Sequence, residues 1–167
     1  MKVDVNEFIA RYCGDDEYRH GLFVPRDVHT AIMRCRLSGE TVCEVSDNTF
    51  DLIEDARRKQ ELRDKTYNDV SVLRLAGMKA ESDDDIDDAI AQYAEAIELG
   101  EASEFELLHA YRHAYDRIII LLSRTHAYAR EAQYIESLLK HNLQEEDRDR
   151  LTARLEKTIA KIQKSQK

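Results

Sequence analysis

His109, Arg112, His113, Asp116 and Arg117 recur at i, i+3, i+4, i+7 and i+8, so a helix through them would carry all five on one face. Two guanidinium groups among imidazoles suit carboxylates, because an arginine can grip a carboxylate through two parallel N–H donors. The plainer reading is a solvated helix face, with Arg112 and Asp116 paired across one turn. His109 and His113 also have the i,i+4 spacing of a two-histidine metal site. The residues between them are Ala110, Tyr111 and Arg112; a third ligand is lacking and the arginine would repel a dication, so no metal site is expected.

Other chemistry-bearing residues fit no motif. Cys13, Cys35 and Cys43 are odd in number and lack C-x-x-C spacing, which argues against a disulfide framework or a zinc knuckle and for reduced, buried thiols. Asp83, Asp84, Asp85, Asp87 and Asp88 alternate somewhat like a calcium loop, but Asp88 stands where the turn glycine belongs and Ala94 where the closing glutamate belongs. Acids favoured at a helix N-terminus explain that run better. The chain has no G-x-S-x-G, H-E-x-x-H or glycine-rich phosphate loop. A catalytic role and a cofactor are therefore not expected.

The 167 residues carry 25 basic and 34 acidic side chains, a net charge of −9, with one proline and five glycines. The excess lies mainly in residues 67–103, with 2 basic and 10 acidic side chains; residues 104–167 have 12 and 10. The overall charge disfavours nucleic acid and acidic membrane surfaces as partners. The longest aliphatic run, residues 118–122, is far short of the roughly 20 needed to cross a bilayer. The start, MKVDVNEFIARY, has acids where a signal peptide would be apolar, so a cytoplasmic location is expected.

From residue 66 the chain reads as helices, each opened by a hydroxyl or amide residue with an acid three positions later: Thr66 with Asp69, Ser82 with Asp85, Ser103 with Glu106, Asn142 with Glu145. Helices are predicted over about 67–81, 83–99, 104–125, 127–141 and 143–164, with Gly100 as a helix stop. The third is apolar nearly all round and belongs in the middle of the fold. The last has a narrow stripe of Leu151, Leu155, Ile159 and Ile162 and reads as a cap. In the first 66 residues, Val5 to Tyr12 and Asp27 to Leu37 are helical candidates, and Phe50, Ile53 and Ala56 start another. Leu22 to Val24 and Thr41 to Val45 would make a two-stranded ribbon. Residues 57–65, RRKQELRDK, read as an exposed helix or linker.

The stretch 70–103 resembles a tetratricopeptide repeat, a helical hairpin of roughly 34 residues. The small residue of its first helix falls on Gly77, and the alanine, aromatic and final small residue of its second on Ala89, Tyr93 and Ala96, within the run DDAIAQYAEAIELG. Leu73, Ala76, Ala80 and Glu101 stand where the pattern has tryptophan, leucine, tyrosine and proline. A second, degenerate unit begins at residue 104 with Leu107, Ala110 and Ala114 in place, Tyr111 at the small-residue site, and its second helix about nine residues late. The resemblance implies a groove lined by the first helix of each hairpin. Ser71, Arg74, Met78 and Glu81 would then face it beside the 109–117 stripe.

The expected protein is an all-α, tetratricopeptide-like set of antiparallel hairpins over 67–167. It has a C-terminal capping helix, an N-terminal helical segment over 1–66 and a small β ribbon. Its expected role is non-catalytic: it binds a partner helix or peptide through Arg74, Met78, His109, Arg112, His113, Asp116 and Arg117. The alternative is a structural protein that self-associates into a homo-oligomer through an apolar edge. A third reading, a DNA-binding regulator with a helix-turn-helix over 26–56, rests on Arg26, Arg34 and Arg36 and is opposed by the acidity of that half.

Overall fold

The computed structural model describes residues 1–13 and 23–165. The chain is all-α apart from one small ribbon, and it divides into two compact units, residues 1–63 and 64–167. The division falls inside a helix.

In the first unit, β1 (Lys2–Asp4) pairs antiparallel with β2 (Val42–Glu44), Val3 opposite Cys43. The second strand is the one the β-branched run predicts. The first is not at 22–24: Phe23 and Val24 form a turn, and Leu22 lies outside the described residues. Asp4 caps α1 (Val5–Phe8) by accepting from the Glu7 N–H at 2.9 Å, and the chain continues as a π-helical turn, Ile9–Cys13. Pro25, whose φ of −53° is already helical, precedes α2 (Arg26–Leu37). Gly39, at φ +75°, turns the chain back into β2. Because a strand follows α2, no helix-turn-helix occupies 26–56. Val5, Phe8, Val28, Ile32, Cys43 and Ile53 form this unit's core.

The helix α3 runs unbroken over Thr49–Ser82. Thr66 is thus mid-helix rather than at a helix start, and RRKQELRDK is an exposed helical stretch held by pairs such as Arg57 to Glu61 at 3.4 Å.

The second unit comprises residues 64–82 of α3, then α4 (Ile86–Glu101), α5 (Leu108–Arg124), α6 (Tyr128–Leu139) and α7 (Glu145–Ser165). Asp84 takes a left-handed φ of 60° in the turn before α4, and Asp85, not Ser82, is the cap, accepting from the Asp88 N–H at 3.1 Å. Eight residues of α5 are buried, among them Tyr111, Tyr115, Ile118 and Leu122, as an all-round apolar helix requires. Helix α7 contributes only Leu151 and Thr158 to the interior.

Two glycines let these helices approach. A Cβ on Gly77 would stand 2.7 Å from the ring of Tyr93. Gly100 is not a stop: it is buried within α4, and the ring of Tyr111 lies against it more tightly still. Tyr111 fits at a site expected to be small because its neighbour has no side chain.

Candidate functional site

Residues 64–82 of α3 lie beside α5 in the second unit, and the expected stripe residues meet partners there. Arg117 donates through Nε to Glu81 Oε2 at 3.1 Å, and its Nη2 donates to Oε1 of the same carboxylate. The Tyr93 hydroxyl donates to Oε2 as well, at 3.1 Å. The Arg117 guanidinium holds the Glu81 carboxyl below its ordinary range, while burial, and then Glu81, push the Tyr93 hydroxyl up to about 12. This three-residue knot ties α3, α4 and α5 together.

Arg112 donates through Nε to Asp116 at 3.3 Å and through Nη2 to Asp147 of α7 at 3.4 Å. Asp147 also accepts from Arg150 at 2.9 Å. Both arginines of the stripe are therefore engaged within the fold, Arg117 to α3 and Arg112 to α7, and the i,i+4 pair of the plainer reading is present. Only the intrahelical pair was legible in the spacing; Glu81 and Asp147 come from other helices.

What remains open on this face is less charged. His109 is exposed and stacks on the ring of Tyr67, centroids 5.6 Å apart. His113 is exposed and meets the edge of Tyr93 at 6.1 Å. Arg74 points a guanidinium nitrogen at the sulfur of Met78, 3.8 Å away. Tyr67, Ser71, Arg74 and Met78 share one face of α3, with Val72 and Leu75 on the adjoining one. Val72 is 65% exposed, Leu75 54%, and Tyr67 and Met78 41% each. Four large apolar side chains open to solvent within 12 residues of one helix contrast with the closed interior of α4 and α5. Sequence reasoning named Met78 but missed Tyr67, Val72 and Leu75, since a helix alternating in this way does not reveal which side is covered.

A second feature escaped the sequence altogether. A cleft of about 500 Å³ opens between α4 and α6, with Tyr115 of α5 in its lining and Tyr134, Arg130 and Lys140 at its sides. The Tyr115 hydroxyl donates to Glu101 Oε1 at 2.6 Å, and His141 Nε2 stands 2.6 Å from that same oxygen. Burial, reinforced by Glu101, raises the Tyr115 hydroxyl far above its ordinary value, and burial raises Tyr134 against the opposing pull of Arg130.

Among the described residues, no three His, Cys, Asp or Glu side chains are grouped so as to hold a metal ion. Among them no helix is long and apolar enough to cross a membrane. Comparison with protein-family models, with curated proteins and with solved structures finds no match to this chain.

Proposed function

We propose that residues 64–167 form a tetratricopeptide-like interaction module that works without catalysis, taking a partner helix or peptide on the α3–α5 face. The observation that carries this reading is the open strip of Tyr67 and Met78, both exposed, running past Arg74 on the α3 face toward α5, where Tyr67 stacks on the exposed imidazole of His109. The contacts of Gly77 with Tyr93 and the hairpin order of α3 to α7 support the family resemblance at the positions that suggested it. An amphipathic helix would lay apolar residues along the strip, and a carboxylate on it would face Arg74 and the histidines. A cytoplasmic location goes with this reading, given three thiols without disulfide spacing.

The test is substitution of the strip. Tyr67→Glu together with Met78→Glu should abolish partner binding with helicity and melting temperature retained, because both side chains are exposed. Glu98→Gln, on the cleft side, should leave it intact. Equal binding by the strip variant and the native chain would overturn the reading. The exposure of Val72 and Leu75 also favours self-association, through the outer face of α3; light scattering over a range of concentrations separates the two, since a constant monomer mass removes the homo-oligomer.

A further inference from the structure

The α4–α6 cleft has walls of opposite charge. Glu98 and Glu101 line it from α4, while Arg130, Gln133, Tyr134 and Ser137 of α6 recur at i, i+3, i+4 and i+7 and so share the face that lines it, with Lys140 just past the helix end. Among the described residues the one ion pair in the cleft is that of Glu101 with His141; Glu98, Arg130 and Lys140 line it without an ionic partner. Glu101 is held in place, because its Oε1 accepts from the Tyr115 hydroxyl and stands against His141 Nε2, each at 2.6 Å. Its Oε2 is the oxygen left for a ligand. The floor is apolar: Ile97 and Tyr115 are buried, and the ring of Tyr134 stands edge-on to that of Tyr115 at 6.2 Å between centroids. A volume of about 500 Å³ is that of a small-molecule site.

We propose that this cleft binds a free aromatic amino acid as its zwitterion, with the ammonium group on Glu98 and Glu101, the carboxylate on Arg130, and the ring on the floor of Ile97, Tyr115 and Tyr134. Charge complementarity selects a ligand with both signs. A simple anion would meet two carboxylates on the α4 wall, and a simple cation would meet Arg130 and Lys140 on the other. An ammonium group donates to several acceptors at once, and a guanidinium grips a carboxylate through two parallel N–H donors. Because Tyr115 and His141 already fix Glu101, little freedom is lost in ordering it around the ligand. The aromatic floor gives the ring a surface to pack against, edge or face. The site shares no residue with the α3–α5 strip, so it goes beyond the interaction reading and either can fail alone.

Titration calorimetry of the full chain with phenylalanine and three analogues tests the assignment. Phenylpropionate lacks the ammonium group, phenethylamine lacks the carboxylate, and glycine keeps both charges without the ring. Phenylalanine should bind, and each analogue should bind at least tenfold more weakly, as the loss of a charge-assisted hydrogen bond or of the buried ring requires. Glu98→Gln should weaken phenylalanine at least tenfold and leave phenylpropionate unchanged. Arg130→Gln should do the same to phenylalanine and leave phenethylamine unchanged. Both side chains are exposed, so both variants should keep the native melting temperature, and a merely structural effect would move all the ligands together. No heat from phenylalanine at millimolar concentration, an analogue that binds as tightly as phenylalanine, or native affinity for phenylalanine in either variant would each overturn the proposal.

Discussion

The ring of Tyr93 fills the space that a side chain on Gly77 would occupy, and its hydroxyl is tied to Glu81 one turn farther along the same helix. With both ends of the tyrosine fixed, the ring cannot tilt to make room. Gly77→Ala should therefore destabilise the 64–167 unit by about 1–2 kcal/mol, the overpacking strain exceeding the roughly 1 kcal/mol that alanine gains in a helix interior. Gly100→Ala should cost more, because Tyr111 lies nearer. Urea unfolding of the two variants and the native chain gives the order, and a gain in stability for either would contradict the packing described.

The knot at Glu81 makes stability depend on acid. Glu81 is held below its ordinary carboxyl range by Arg117, so its contribution is fully present above the unfolded value and is lost as pH falls through the lower folded value. Glu81→Gln should cost about 2 kcal/mol at neutral pH, in the range of charge-assisted hydrogen bonds. The difference from the native chain should shrink as the medium is acidified below the ordinary carboxyl range. Denaturant titrations at several pH values check it; a difference independent of pH would show that the carboxylate charge does not matter.

Tyrosine ionisation moves the other way. Burial first, then neighbouring carboxylates, push Tyr93 and Tyr111 up to about 12. Their neutral forms are favoured by folding, so the stability they lend holds below the unfolded value and is lost as pH rises through the folded one. An ultraviolet titration of the eight tyrosines should show a late group, Tyr93 and Tyr111 among it, that ionises together with alkaline unfolding. Ionisation of all eight in one ordinary step, with the helices intact, would contradict the burial.

Glu131 of α6 is 1% exposed; one carboxylate oxygen accepts from Arg154 of α7 at 2.9 Å and the other has no hydrogen-bond partner. Arg154→Met would leave that charge buried and alone and should cost about 3 kcal/mol. Adding Glu131→Gln should recover part of the loss, because the stranded charge is then removed. A double-mutant cycle in urea measures the coupling, and additive losses would mean that the pair does not hold α7 in place.

How far the fold was legible depends on which signal each element sends. Helices α2 and α4 to α7 follow from apolar periodicity, because α5 buries most of its circumference and each of the others one side. The middle of α3 buries almost nothing: it is held by charge pairs such as Lys65 to Asp69 at 2.9 Å, and Thr66 imitates a cap in mid-helix. Gly100 looks like a stop until Tyr111 is placed against it. In the candidate site, the shared face of His109 to Arg117 could be read from spacing, whereas Glu81 and Asp147, which engage its two arginines, come from 36 and 35 residues away along the chain. The α4–α6 cleft joins Glu101 to His141 over 40 residues, and no local pattern announces such a pair.

The surface of residues 64–167 that takes a partner is located most directly by a photo-crosslinking residue placed singly at positions 67, 78, 98 and 133. The proposed interaction module predicts crosslinks to a partner polypeptide from positions 67 and 78 and none from 98 or 133. Crosslinks confined to 98 and 133 would move the binding surface to the α4–α6 cleft and contradict the account.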